Sequence, residues 1–327
     1  MKICLLDNTK FQYSYKDKHS SFLRGAETTL INLFEQLKLL GHDILVFNNC
    51  SKNINNDSTN WYNIKNIKLF DIFFDVVISN GDARLFNNIK SKKKFVISYS
   101  LQSLEKFIRK GQLFDYIKHK PELLVLGEYH KSQRSKVTSL FGLNILRLAV
   151  DDKFIDTKLT NVIDNNLAIF TSRSDRNLDL LLNIWNNKIQ PKNNSLKLLV
   201  TPPIKYNSNS NIIERSLDSR SNLIKDLLKS RVFLIPGHKA ELFCLAAEEA
   251  RELCLPIVTL GIGSLSERVN HQNTGFIAKN YDEFAFYTLE LFKNDTLWNE
   301  MRNNLLKLRG SKNWRQSTYD LLKIIKS

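Results

Sequence analysis

Short apolar runs alternate with amphipathic stretches along almost the whole chain, and this alternation leaves few ways to fold it. In the first half, Ile3 to Leu6, Ile44 to Phe47, Val76 to Ser79, Phe95 to Ser98 and Leu123 to Leu126 read as buried strands. Between the first two, Glu27 to Leu40 puts Leu30, Leu33, Phe34 and Leu37 on one helical face, and Gly41 closes the helix. Strands separated by helices pack as a parallel sheet covered on both faces. The pattern restarts near Leu146 to Phe154, and Asn161 to Asn166 is a polar linker. Further strands are predicted at Leu167 to Thr171, Leu196 to Thr201, Val232 to Ile235 and Ile257 to Leu260. Helices fit Asn177 to Trp185, Ser221 to Lys229, Phe243 to Cys254 and Glu283 to Asn294, and Asn207 to Asn211 reads as a polar loop. The expectation is two similar α/β halves, 1–152 and 153–327, alike in pattern but without a sequence repeat. The last helix, about 312–327, is a candidate to pack back on the first half.

A chain of 327 residues suits two domains, each able to bury a full core. The net charge of +15 narrows the partners to nucleotide diphosphates, anionic lipid surfaces or nucleic acid, unless it reflects only the Lys codons of an AT-rich genome. Cys4, Cys50, Cys244 and Cys254 show neither CxxC nor disulfide-rich spacing, so reduced, packed thiols and a cytoplasmic location are expected. The apolar run at the N-terminus is too short for a signal peptide, and no stretch approaches a membrane span. Any membrane contact is therefore expected to be peripheral, on an anionic inner face.

The sharpest motif is a pair of acids, Glu241 and Glu249, eight positions apart. Glu241 follows the strand Val232 to Ile235 through Pro236 and Gly237, and Glu249 lies about two turns into the next helix. Ligands of open α/β sheets bind where strand carboxyl ends open, and Glu241 falls there. One carboxylate can reach sugar hydroxyls and the other can accept both hydrogen bonds of a ribose diol. Two surface acids on an amphipathic helix would give the same spacing. After Pro256 the strand Ile257 to Leu260 runs into Gly261, Gly263 and Ser264. A small-residue turn at a helix start presents backbone N–H groups suited to a diphosphate, although a plain tight turn is the default meaning of a glycine pair.

Together these residues resemble the retaining glycosyltransferases of the two-Rossmann (GT-B) class, especially glycosyltransferase family 4. That family carries E-x7-E, an apolar strand after Pro, a Gly-Gly-x-Pro-Glu-like turn and a Thr-Gly-Phe-like segment. This chain has Glu241 and Glu249, Pro256, Gly263 through Glu267, and Thr274, Gly275 and Phe276, in that order. The resemblance implies a first Glu on the donor sugar (Glu241) and a second on the ribose (Glu249). Upstream, Ile169 to Leu181 resembles the first strand–loop–helix of the family's C-terminal domain, where a basic residue grips the donor phosphates. Arg176 stands at that place and Arg173 is the nearest candidate for the second basic residue; arginine is a good bidentate phosphate ligand. The implied catalytic set is Arg176, Glu241 and Arg173, and the implied donor-binding set is Glu249, Gly263, Ser264 and Gly25. The resemblance further implies two Rossmann-like domains facing across a cleft, an N-terminal acceptor domain and a C-terminal donor domain.

The first half matches less closely. Arg24, Gly25, Ala26 and Glu27 stand where the family has a Gly-Gly-x-Glu loop, and Gly41 with His42 resembles the Gly-His before the second strand, a structural position. The family often places a His after the fourth strand; here Val96 to Gln102 has none, and Ser100 or Gln102 is left to supply a hydrogen bond. The segment Lys106 to Lys120 is basic with interleaved Phe107, Phe114 and Tyr116, which is either a solvated face or an acceptor and membrane patch. No Asp-x-Asp appears and the six histidines lack ligand spacing, so no metal and no cofactor are expected beyond a UDP- or GDP-linked donor. Neither GxGxxG after the first strand nor GxxxxGK[ST] is present. The expected activity is metal-independent, retaining transfer of a hexose-type sugar to a glycan or lipid-linked acceptor, without nucleic acid. A non-catalytic sugar- or nucleotide-binding protein, a nucleic-acid-binding protein and an epimerase on the same fold are the alternatives.

Overall fold

The apolar runs are strands, and among the described residues of both halves they pair only in parallel. Near-continuous Val, Ile and Leu leaves no polar face to turn to water, which is what a sheet covered on both sides requires. The computed structural model describes residues 1–18, 20, 23–51, 60–101, 104–160, 162–201, 203, 210–216 and 219–327. The expected polar loop at 207–211 and Gln102 lie wholly or largely outside these residues. The chain divides into two units, Met1–Leu148 with Trp314–Ser327, and Ala149–Asn313.

Among the described residues the first unit holds β1 (Lys2–Leu6), β2 (Asp43–Asn48), β3 (Trp61–Asn63), β4 (Phe73–Asn80), β5 (Lys90–Ile97), β6 (Glu122–Val125) and β7 (Leu143–Ile145). They form one sheet in the order β3-β2-β1-β4-β5-β6-β7, with Leu5 level with Val46 on one side and Ile78 on the other. The second unit holds β8 (Leu167–Phe170), β9 (Lys197–Val200), β10 (Ile212–Glu214), β11 (Val232–Leu234), β12 (Ile257–Thr259) and β13 (Gly275–Ile277). Their order is β10-β9-β8-β11-β12-β13. In each sheet the chain starts in the middle, winds to one edge, then crosses over to build the other side. The reversal opens a crevice at the strand carboxyl ends, between β1 and β4 and again between β8 and β11.

The helices follow their apolar faces. Gly25–Leu39 buries Leu30, Ile31, Leu33, Phe34 and Leu37 and ends before Gly41, whose φ of +79° no β-carbon favours. The expected helix over 243–254 is trimmed to Leu245–Glu252, because Cys244 (φ +59°) and Cys254 (φ +56°) are both left-handed and bracket it. All four cysteines are free and buried. The basic segment 106–120 forms two short helices, Leu104–Arg109 and Leu113–His119, parted at Gly111. The last helix, Trp314–Lys326, belongs to the first unit. It buries Trp314, Leu321, Leu322 and Ile325, its Ser317 hydroxyl donates to the Arg147 carbonyl, and Lys93 Nζ donates to the Ile325 carbonyl at 2.9 Å. No helix among the described residues is long and apolar enough to cross a membrane.

Candidate functional site

At the carboxyl ends of β8 and β11 the sequence leaves two loops, and a few backbone contacts lock them together. Asn177 closes the β8 loop in the left-handed conformation (φ +62°) and donates from Nδ2 to the Gly237 carbonyl at 2.5 Å. Gly237 bridges Ile262 in the loop after β12; a β-carbon on Gly237 would lie 2.5 Å from the Ile262 carbonyl oxygen. Gly263 meets the next contact. A β-carbon there would lie 2.4 Å from the His238 carbonyl oxygen and 2.9 Å from that of Glu241. Close backbone approach and positive φ (+97° and +77°) together reserve these two positions for glycine.

That frame brings Arg176 and Glu241 together. Arg176 Nε lies 3.2 Å from Glu241 Oε2, with both side chains 17% exposed. Arg176 is also 3.4 Å from Asp175, which pairs more closely, at 2.5 Å, with Arg173. Arg173 itself stands out in solvent while bonded to Asp175, whereas Arg176 is largely covered. Burial raises the Glu241 carboxyl above its ordinary range, and the charges of Arg176, His238 and Arg173 pull it back. The Glu241 main chain is pinned from both sides: its N–H donates to the His238 carbonyl, and its carbonyl accepts from Ser264 N–H, each at 2.9 Å. The Ser264 N–H expected to be free for a phosphate is thus already engaged. Its buried hydroxyl oxygen has no partner.

Glu249 keeps different company. Its charged neighbours are Arg220, which lowers its pKa, and Asp151, which raises it; burial dominates and pushes the carboxyl up to about 7. Arg220 in turn is paired with Asp151, the residue that caps the Asp152–Asp156 helix. Neither Arg220 nor Asp151 carries a motif signal. The adjacent Glu248 points inward to Arg251 and Arg268, each at 2.6 Å, and to Lys312 at 3.1 Å. Burial would raise its pKa, but the charges of Arg268, Arg251 and Lys312 prevail and hold it down to about 2. Arg268 also lies over the Phe243 ring, 4.3 Å from its centre. This buried cluster ties the Leu245–Glu252 helix to the turn after β12. The Thr-Gly-Phe element is structural as well: a β-carbon on Gly275 would lie 2.2 Å from the Ile257 carbonyl oxygen, and Phe276 stacks on Tyr287 at 4.2 Å.

The remaining sequence candidates lie in the first unit. Gly25 opens the Gly25–Leu39 helix and accepts a hydrogen bond from the Thr29 hydroxyl at 2.7 Å. The loop after β5 lacks a histidine of its own, yet a buried His130, overlooked in the sequence, backs it. His130 Nδ1 accepts from the Leu126 N–H at 3.2 Å, so the proton sits on Nε2, which donates to the Ser100 carbonyl at 3.2 Å. Burial pushes this imidazole down to about 4, so it is a neutral brace. In the basic segment, Phe107 and Tyr116 turn into the core, and only Phe114 of the three aromatics is exposed. The outer face instead shows Ile108, Phe114 and Ile117 among lysines and arginines.

Comparison with known proteins bears on the fold and on part of the second unit. Residues 205–307 match the family model of group 1 glycosyl transferases. No curated protein matches the chain in sequence. Solved structures match over both units. HepE from Anabaena, solved with UDP-glucose, superposes with a TM-score of 0.73 at 12% identity, covering 99% of each chain. A glycosyltransferase from Rickettsia africae gives 0.69 at 13% identity, covering 99% of this chain and 97% of its own. WaaG, a glycosyltransferase of lipopolysaccharide biosynthesis, gives 0.66 at 12% identity, covering 99% of each chain. At these identities the likeness establishes the fold: two Rossmann-like units of the GT-B type.

Proposed function

We propose that the chain is a retaining glycosyltransferase, moving a hexose-type sugar from a UDP- or GDP-linked donor to a glycan or lipid-linked acceptor without a metal ion. The observation that carries this reading is the Arg176–Glu241 pair, held between clamped loops where the second sheet reverses direction. Support comes from the family model that spans Glu241, Glu249 and Gly263, and from the UDP-glucose bound to HepE.

The chemistry follows from the charges. Without a ligand, Arg176 and Glu241 neutralise each other. A donor diphosphate offers Arg176 a stronger, bidentate partner. The exchange frees Glu241 Oε2 to accept hydrogen bonds from the sugar hydroxyls. As the bond to the anomeric carbon breaks, negative charge grows on the diphosphate beside a guanidinium already in place, and preorganised charge of this kind is commonly the largest catalytic contribution. Glu249, two turns further on, takes the ribose hydroxyls. The outer face of Ile108, Phe114 and Ile117 among basic residues suits a peripheral contact with anionic lipid on the acceptor side.

The test is a thermal-shift screen of UDP-, GDP- and ADP-sugars, followed by measurement of nucleotide released with and without acceptor glycans. A ligand bound only by the native state raises the melting temperature. If no nucleotide sugar stabilises the chain and none is turned over, the reading falls.

A further inference from the structure

In the first unit, the cavity of about 610 Å³ at the reversal between β1 and β4 mixes acids with Arg84 and Lys110. Elsewhere in the same unit positive charge gathers unanswered. Along β5, Lys90, Lys92 and Lys94 share one face, because side chains alternate across a strand. Asp71 answers Lys90 at 2.8 Å. Lys94 instead reaches the last turn of the Leu113–His119 helix, where Lys118, His119 and Lys120 follow one another.

The contacts there leave two cations without an anion. Lys94 Nζ stands 3.4 Å from His119 Nδ1. An ammonium only donates, so Nδ1 accepts and the ring proton sits on Nε2, which donates to Asn87 Oδ1 at 2.9 Å. Lys118 Nζ donates to the same Asn87 oxygen, also at 2.9 Å. Asn87, on the short Ala83–Asn88 turn, gives its own N–H to Asp115 at 2.5 Å, and Arg84 of that turn is committed to Asp82. The Phe86 ring meets the imidazole edge-on at 5.9 Å. Among the described residues neither Lys94 nor Lys118 pairs with a carboxylate. Burial pushes the Lys94 ammonium below its ordinary range, and the charge of Lys118 adds to this. Burial, Lys94 and Lys118 push the imidazole down likewise, against a smaller pull from Asp115. Cations do suit the end of a helix, but that end carries only about half an elementary charge, and Lys94 arrives from another element. A proton added at Nδ1 would point straight at the Lys94 ammonium. An anionic oxygen between the two would accept from both and remove the repulsion. A terminal phosphate suits the place better than a carboxylate or a phosphodiester: it brings three oxygens to three nitrogens, and about two negative charges at neutral pH.

We propose that Lys94, Lys118 and His119 form a seat for a terminal phosphate group, borne by a soluble phosphomonoester or by a lipid. The seat does not depend on the transferase reading. The experiment follows the His119 ring by NMR on the full chain while glycerol 3-phosphate, or the diester dimethyl phosphate, is added. Glycerol 3-phosphate is expected to bind at least about tenfold more tightly than dimethyl phosphate and to raise the His119 pKa at saturation. Lys94→Met keeps the side-chain length and should weaken glycerol 3-phosphate at least about tenfold, the size of one lost hydrogen bond to a charged group. Should that variant not fold, Lys118→Met, at an exposed position, should weaken it by about the same factor. Vesicles carrying phosphatidic acid, set against phosphatidylglycerol vesicles of equal surface charge, separate the two sources. A preference for phosphatidic acid assigns the seat to a lipid headgroup, and glycerol 3-phosphate binding without that preference assigns it to a soluble phosphate. Equal affinity for ester and diester, a His119 pKa that does not move, or unchanged binding in both variants would overturn the proposal and leave the three residues as partners of the helix end alone.

Discussion

The two reversal points share a topology and differ in chemistry. At β8 and β11 a guanidinium and a carboxylate face each other and leave little net charge, so an incoming anion can take over the arginine. At β1 and β4 the one arginine lining the cavity is chelated by Asp82, Lys110 lines it too, and the buried atoms without a partner are Glu27 Oε2, Asn80 Oδ1 and the Tyr99 hydroxyl. The same doubly wound topology thus lines its two crevices with different polar and charged side chains. The strand order provides the crevice, and the side chains just past the strand ends decide what enters it.

That contrast breaks most sharply at Arg176. Arg176→Ala should lower turnover by about a hundredfold or more, read as nucleotide released per enzyme, because the charge-stabilising group at the leaving diphosphate is gone. Turnover that survives the substitution would place the anion elsewhere and erase the difference between the two reversal points. Glu249→Ala should act more mildly. A ribose contact is made about equally in the ground and transition states, so donor affinity should fall about tenfold with kcat little changed. A fall in kcat of the same size as that of Arg176→Ala would instead put Glu249 at the reacting bond.

How much of this could be read from the sequence differs between the two units for a physical reason. In the second unit the close backbone approaches demand glycine at 237, 263 and 275, so the geometry is written as residue identity. Glu241 and Arg176 are found by their offsets from those glycines and strands. The choice between Glu248 and Glu249 rests on the eight-position spacing, whereas the structure separates them by burial and by the Arg251–Arg268–Lys312 cluster, which no local pattern announces. Arg220 and Asp151 lie 69 positions apart and meet only through tertiary packing. In the first unit Ala26 and Glu27 of the Gly-Gly-x-Glu-like loop line the pocket, but the residues after β1, β4 and β5 that complete it share no motif, and His130 reaches its loop from another helix. The three-residue strands β3, β7, β10 and β13 carry no continuous apolar run to mark them, whereas β11 and β12, equally short, sit in runs of Val, Ile, Leu and Phe that do.

Smaller effects sharpen the picture. Binding to anionic vesicles should exceed binding to neutral ones by a few-fold and weaken with salt, and replacing Ile108 and Phe114 with Ser should remove the apolar part of it. Equal binding to both vesicle types would leave the basic face as solvated surface. Glu249 also makes stability depend on pH. Its folded pKa of about 7 lies above the ordinary 4.5, so the folded state holds the proton longer than the unfolded chain. Stability therefore falls as pH rises from about 4.5 to about 7 and levels off above that. Glu249→Gln should raise Tm by a few degrees at pH 8 and leave it unchanged at pH 4. A gain of the same size at both values would mean that the carboxyl is not the titrating group. The smallest expected effect is none: activity should persist in EDTA. Loss of activity, restored by Mg²⁺ or Mn²⁺, would remove the metal-independent part of the proposal.

The return of the Trp314–Lys326 helix to the first unit bears on the order in which the molecule is completed during synthesis. The second unit is one uninterrupted stretch, Ala149–Asn313, and can close its core as soon as that stretch has left the ribosome. The first unit begins earlier and must wait for residues 314–327, with the seat of Trp314, Leu321 and Ile325 uncovered in the meantime. The half made first is the half finished last. A nascent chain stopped near residue 313 would therefore carry a finished second unit tethered to a first unit that still exposes apolar surface.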